Sequence, residues 1–215
     1  VVCTDRFAHP TVRQALHAVG ATRDINHSLP LSAERSGMRP VAISVAMILE
    51  TAVSSATRGQ EGLACWLGGA VKNECYHLIV PEPTGDALPE ASAKAPEQAN
   101  LTPEAIDWLS LHATGTQTWD PLEIQCARRI FGPTLPHLSA FKRSFGHGMG
   151  AAGLLEAGLL CEGLANAKVP PWPEPTDPAM KLSPPSAPLR RPHHAMMWSA
   201  GMGGDNSVNI FSALG

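Results

Sequence analysis

The sequence predicts an α/β domain layered around a mixed β-sheet. Three observations carry that expectation. Apolar stretches of strand length alternate along the chain with stretches of helical period. The C-terminal stretch turns back on itself across the glycines Gly201–Gly204, which calls for an antiparallel partner. The composition is that of a chain that packs a core, with 44% hydrophobic and 16% charged residues.

The elements follow in order. Val1–Cys3 is a short apolar strand, and Thr11–Val19 places Val12, Ala15, Leu16 and Val19 at helical spacing. A polar stretch runs to Gly37. Val41–Leu49, nearly all apolar, reads as a strand buried on both faces, and Gly62–Gly69 as a second strand. Val80–Thr102 is rich in Pro, Ala and Glu without a clear period, and reads as a loop with at most a short, weak helix. Ala105–His112 alternates into a strand that ends at a histidine. Asp120-Pro121-Leu122-Glu123 then has the form of a helix start, with Asp as cap, Pro at the first helical position and Glu able to bond back. Leu122, Cys126 and Ile130 share one face of that helix, and Gly132 ends it. His137–Phe141 is a short strand. Met149–Ala165, dominated by Ala, Gly and Leu, suits a helix buried on most sides. Pro170–Pro192 is a proline-rich excursion, and Ala195–Ala200 with Ser207–Leu214 forms the closing hairpin.

Several function classes are disfavoured. The five cysteines, Cys3, Cys65, Cys75, Cys126 and Cys161, are scattered and contain no C-x-x-C pair, which argues against a disulfide framework or a structural zinc site. The chain opens without a basic region followed by an apolar run, and no apolar run is long enough to cross a bilayer. The formal charge is −3 without a basic stripe, so nucleic acid is an unexpected partner. A cytoplasmic protein with no metal, cofactor or membrane partner is the expectation.

Three segments carry chemistry. In the first, His112-Ala113-Thr114-Gly115-Thr116, a histidine leaves a buried strand at a turn that the following helix anchors. The second runs from Phe141 and Lys142 through Gly146-His147 into the small-residue helix. A helix N-terminus near His147 favours neutral imidazole, and a neutral imidazole donates a hydrogen bond to a developing oxyanion. The third is Ser199-Ala200-Gly201-Met202-Gly203-Gly204-Asp205-Asn206. It is not a dinucleotide-binding loop, because a strand follows it rather than a helix. The doublet His193-His194 fits no metal spacing, and Cys3 has no helix after it to activate a thiolate. Taken singly, none of these segments decides a function.

Their order does. The series His-x-Thr-Gly-Thr-x-x-x-Asp-Pro-x-Glu, then Lys-x-x-x-Gly-His-x-x-Gly-Ala-Ala-Gly, then Gly-x-Gly-Gly-x-Asn resembles the C-terminal half of β-ketoacyl-acyl-carrier-protein synthases, of the thiolase superfamily. Upstream, Glu34–Met38, Met47–Glu50 with Arg58-Gly59, and Thr11–Asp24 resemble the family's strand entry, the segment after it and the helix that ends its first half. The resemblance implies a thiolase-like C-terminal domain over residues 37–215, with residues 1–36 closing the N-terminal half. It implies decarboxylative condensation of an acyl thioester with malonyl-carrier protein, with His112 and His147 holding the malonyl thioester oxygen. Lys142 stands near the second histidine and Glu123 is expected to pair with it, while Thr114, Thr116 and Asp120 support the turn. The segment Ala200, Gly201, Met202, Gly203, Gly204 and Asn206 corresponds to the turn that gates the acyl pocket and gives a backbone N–H, from Ala200 or nearby, to the oxyanion.

The implied partners are acyl carrier protein and an N-terminal half or companion ketosynthase, in a homo- or hetero-oligomer. The implied cysteine nucleophile belongs to the half preceding this stretch. Where the family carries glycines or phenylalanines, this sequence has Val41-Ala42-Ile43, Ala113, Ala200 and Met202. The alternative implied by those departures is a non-catalytic, chain-length-factor-type subunit. A thiolase acting on coenzyme A esters is the more distant reading, since Gly201–Asn206 holds no cysteine.

Overall fold

The computed structural model describes residues 1–7, 9–22 and 28–214, so the last two residues of the Thr11–Asp24 resemblance lie outside the described residues. β1 (Val2–Arg6) and β2 (Ala42–Ala46) form an antiparallel ribbon, with α1 (Pro10–Ala18) between them in sequence. This ladder crosses the boundary expected at residue 36. After α2 (Ala52–Thr57), the chain builds one five-stranded sheet from β3 (Cys65–Asn73), β4 (Trp108–Ser110), β5 (His137–Ser139), β6 (His194–Ala200) and β7 (Asp205–Ser212). Its order is β3-β7-β6-β4-β5. β4 runs parallel to both β5 and β6, whereas β7 runs antiparallel to its two neighbours. The sheet is therefore mixed, and the closing hairpin is β6–β7.

Side chains alternate across this sheet, as a pleated strand requires. Leu109, Met196, Trp198 and Ile210 enter one core, against α3 (Ala87–Gln98) and α4 (Trp119–Phe131). Trp108, Ala195, Met197 and Phe211 enter the other, against α6 (Ala152–Ala165). Burial on both faces explains why β6 is apolar over the four residues from Ala195 to Trp198. α6 is in contact with β6 and β7 and also with β2, so it links the ribbon to the sheet.

Three expectations are corrected. β2 is not buried on both faces; its residues alternate between exposed and half-buried. A strand in a two-stranded ribbon has no layer on its second side among the described residues, whatever its composition. Residues 80–102 are not a loop with a weak helix. Leu88, Ala91 and Ala95 recur at helical spacing along α3 and are fully or almost fully buried against β3, β7 and α4. Small alanines hid the period. The strand expected over His137–Phe141 stops at Ser139, and a short helix, α5 (Lys142–Phe145), begins instead.

Close packing of α6 yields a prediction. A Cβ on Gly163 would lie 2.6 Å from the Lys168 carbonyl oxygen and 2.7 Å from the Trp108 ring. Gly163→Ala is expected to destabilise the fold by about 1–3 kcal/mol through overpacking, although alanine favours helix by about 1 kcal/mol. Urea denaturation of the two proteins reads the sign; a stabilised variant would show that Trp108 moves aside freely.

Candidate active site

The turn after β4, the segment from His147 to the start of α6, the β6–β7 turn and the residues after α1 surround a cleft of about 820 Å³. His112 and His147 lie on its lining with Thr114, Thr116, Trp119, Met149, Ala200 and Met202, and the loop from His77 to Pro81 borders it. The sequence places the two histidines 35 residues apart. The fold brings their rings to 5.4 Å between centroids, nearly perpendicular.

His112 follows β4, and its backbone is fixed by a buried acid. Glu123 Oε1 accepts the N–H of His112 (2.6 Å) and Oε2 that of Ala113 (2.8 Å). Ala113 sits at φ 31°, left-handed backbone where glycine would be less strained. Asp120 holds the next turn: Oδ1 accepts from Gly115 N–H (3.0 Å) and Oδ2 from Leu31 N–H (2.7 Å). The helix-start expectation is thereby corrected. α4 begins at Trp119, two residues earlier than the expected Pro121, and Thr116 Oγ1 accepts the Trp119 N–H at 3.2 Å. Asp120 and Glu123 are turned to tertiary N–H groups instead of capping. Thr114 and Thr116 lie with their hydroxyls 3.3 Å apart.

Lys142 opens α5 and is almost fully buried. The expected pairing with Glu123 is corrected: Nζ donates to Glu156 Oε1 on α6 (2.6 Å) and lies 3.3 Å from His112 Nδ1. An ammonium has only protons to offer, so Nδ1 accepts and the His112 proton resides on Nε2. Glu156 was not singled out from the sequence; an acid inside a run of Ala, Gly and Leu is a signal, but Glu162, exposed on the same helix, carries it too.

His147 is held by its backbone. Its N–H donates to Arg39 O (2.8 Å), and its carbonyl accepts from Val41 N–H (3.1 Å). The preceding Gly146 sits at φ 80°, where a Cβ would meet the Val41 side chain at 2.6 Å. A side chain there would be strained and would have to displace Val41.

Electrostatics keep both imidazoles neutral. Burial, then the Lys142 ammonium, then His147 holds His112 well below its ordinary value. Burial and then Lys142 push His147 down to about 3. The direction agrees with the sequence expectation, and its leading cause is burial, followed by the Lys142 charge. Burial pushes Asp120 up to about 6 and Glu123 up to about 8, against the N–H bonds that favour their ionised forms. Burial also raises Glu156, opposed by Lys142.

The Glu123 shift has a stability consequence. A carboxyl whose folded value lies above its ordinary 4.5 contributes stability that is full below 4.5 and is lost as pH rises towards 8. The two buried histidines act the other way, and only below their ordinary 6.5. Between pH 6.5 and 8 the Glu123 effect therefore stands clear of theirs, worth at most about 2 kcal/mol at 1.36 kcal/mol per unit. Glu123→Gln should flatten the pH dependence of unfolding in that window. An unchanged slope would mean that the two N–H bonds keep the carboxylate ionised.

The glycine turn divides into parts. The N–H groups of Gly201, Gly203 and Gly204 are taken by Asp205 O (2.8 Å), Leu78 O (2.8 Å) and Gly201 O (3.2 Å). Asn206 is buried off the lining and donates to Glu74 Oε1 (2.9 Å), and Gly203 is also off the lining, so these two tie the turn to the loop at the cleft mouth. Because Gly201 N–H faces β7, the neighbouring Ala200 N–H points to the opposite edge of β6, the side of β4. No cysteine lines the cleft among the described residues. Burial pushes Cys126 up to about 12 and raises Cys161. Among the described residues, no cluster of His, Cys, Asp and Glu is placed to hold a metal ion, and no helix is long and apolar enough to cross a membrane.

These features coincide with a known family. The sequence model of the beta-ketoacyl synthase C-terminal domain matches residues 63–174, just over half of the chain. The chain belongs to the β-ketoacyl synthase family, and its mixed sheet is the thiolase-like one. It is 31% identical over 142 residues to 3-oxoacyl-[acyl-carrier-protein] synthase 2 of Mycobacterium leprae, covering 66% of this chain and 34% of that one. It is 30% identical over 173 residues to the chloroplastic 3-oxoacyl-[acyl-carrier-protein] synthase I of Arabidopsis thaliana, covering 78% and 37%. Among solved structures, the ishigamide ketosynthase/chain length factor superposes over 100% of this chain and 54% of its own, with TM-score 0.87 and 26% identity. A type II PKS acyl-carrier protein in complex with its ketosynthase superposes over 100% and 56%, with TM-score 0.91 and 23% identity. The chain thus spans about a third of the length of these curated relatives.

Proposed function

We propose that this chain supplies the malonyl-activating half of a β-ketoacyl synthase active site, for fatty acid or polyketide-type chain extension, and that its nucleophilic cysteine comes from outside residues 1–215. The observation that carries this reading is the convergence of two neutral imidazoles in one cleft, one with its Nε2 proton set by Lys142. An acyl group waits as a cysteine thioester. Malonyl-carrier protein loses its carboxylate as carbon dioxide, and the electron pair left on carbon forms an enolate whose oxygen receives the hydrogen bonds of His112 and His147. That carbon attacks the acyl thioester, a C–C bond forms, the C–S bond breaks, and the thiolate returns to the cysteine. Ala200 N–H serves the oxyanion of this second step, and Met202 sits at the gate.

The partners that follow are acyl carrier protein, loaded with acyl or malonyl groups, and an N-terminal half or companion subunit in a homo- or hetero-oligomer. Residues 1–36 are assigned to the end of the first half and 37–215 to the C-terminal domain, with β2 shared between them. The half that completes the fold covers the apolar side chains of Val2, Ile48 and Val53, each at least 75% exposed. A cytoplasmic location fits the unpaired cysteines.

A second reading has its own support. The cleft lacks a thiol, and Ala200 and Met202 stand where the resembled family carries bulkier rings. This favours a chain-length-factor-type subunit that shapes a partner's pocket. Co-expression with a cysteine-bearing N-terminal half, followed by acyl- and malonyl-carrier protein, separates the two. Release of carbon dioxide with a β-ketoacyl product supports condensation by this chain. A product formed only by an added intact synthase, altered in length by this chain, supports the second reading and overturns the first.

A further inference from the structure

α5 is four residues long, too short to hold itself as a helix, yet it begins with Lys142 and leads within two residues to His147. Guanidinium groups hold it from both sides. Arg39 Nη2 donates to Ser144 O (3.0 Å), while the Arg39 carbonyl accepts the His147 N–H. On the other side, Arg143 Nη1 donates to the carbonyls of Pro30 (2.8 Å), Pro173 (3.2 Å) and Pro175 (3.2 Å), and Nη2 to that of Glu174 (2.8 Å). Prolines have no N–H to form ladder bonds, so the carbonyls of a proline-rich segment need donors from outside. The planar fork of arginine spreads its donors over a wider span than the compact ammonium of lysine, so lysine here would reach fewer of these carbonyls.

The two segments that Arg143 bridges are joined to each other as well. Arg35 Nη1 donates to Asp177 Oδ2 (2.6 Å), and Asp177 N–H to Leu31 O (2.7 Å). Leu31 N–H in turn reaches Asp120, whose other oxygen holds Gly115, three residues after His112. A continuous run of hydrogen bonds therefore leads from α5, through Arg143, Pro30–Leu31 and Asp120, to the His112 turn. We infer that Arg143 is a positioning residue, which fastens the Lys142–His147 turn to the proline-rich excursion and so sets the angle of His147 against His112. The geometry stands without the proposed function; only its consequence for catalysis rests on that reading.

The test uses the full-length protein and no substrate, so its failure is distinct from failure of the condensation reading. Imidazole NMR signals of His147 are followed against pH in Arg143→Met, Arg143→Lys and Arg128→Met. Arg128 also donates to excursion carbonyls, Met180 and Lys181, but from α4 and away from His147. The charged and titratable groups facing His147 are His112 from the β4–α4 turn and Lys142 from α5, with Glu156 of α6 behind Lys142. Arg143→Met and Arg128→Met should both lower the melting temperature. Only Arg143→Met should raise the His147 midpoint, by about one unit or more as water reaches the ring. Arg143→Lys should restore stability in part but leave the midpoint raised. A midpoint in Arg143→Met equal to that in Arg128→Met overturns the inference. Should Arg143→Met fail to fold, an unshifted midpoint in Arg143→Lys overturns it equally.

Discussion

His147→Ala, in a protein completed by its cysteine-bearing half, is expected to lower condensation by about 10²–10³-fold, the usual effect of losing one preorganised oxyanion donor. The loss should fall on the decarboxylation step. In the proposed mechanism, loading of the acyl group onto the cysteine draws on the Ala200 N–H rather than on this imidazole, so burst-phase acylation should persist. The change is local, because His147 is positioned through its backbone bonds to Arg39 and Val41, which alanine keeps. Single-turnover measurement of acyl transfer and of carbon dioxide release tests the two steps separately. A variant that decarboxylates malonyl-carrier protein at the normal rate would remove His147 from the chemistry, and a variant that fails equally at both steps would point to a collapsed site.

Lys142→Met is expected to destabilise the fold by about 3–5 kcal/mol, the cost of leaving one partner of a buried ion pair alone. Glu156 is 2% exposed, and its Oε2 has no partner among the described residues even in the intact pair. Without the ammonium, burial would drive the carboxyl to take up a proton. The loss should therefore be largest above neutral pH and shrink on acidification, since a neutral carboxyl is cheaper to bury. Lys142→Met combined with Glu156→Leu should recover most of the stability, because two apolar groups replace a costly pair. The double variant should not recover activity. Lys142 also sets which His112 nitrogen carries the proton, and methionine cannot do that. Urea denaturation of the single and double variants at pH 6 and pH 8 gives the comparison; a single variant that costs under about 1 kcal/mol would show that Glu156 finds water or another donor.

The histidines were legible because His112 closes a strand-like stretch and His147 precedes a small-residue helix, both within an ordered series of motifs. The helix face Leu122, Cys126 and Ile130, its end at Gly132 and the closing hairpin were legible for the same reason, as they depend on residues near one another in the chain. The misreadings share the opposite property. Asp120 and Glu123 have the form of a capping sequence, but their oxygens serve N–H groups that only the folded turn brings near. Lys142 had two acids to choose from on two helices, and packing selected Glu156. Val41–Leu49 has the composition of a core strand, yet no described layer covers its outer side.

What the amino-acid order determined by itself is therefore most of the strands, the helices α1, α4 and α6, and the mixed character of the sheet. These follow from backbone propensity, hydrophobic period and spacing, which act over a few residues. Tertiary structure alone decided which charge meets which, which faces are covered, and that two imidazoles far apart in sequence share one cleft. Burial and ion pairing depend on distance in space, and desolvation is what keeps those rings neutral.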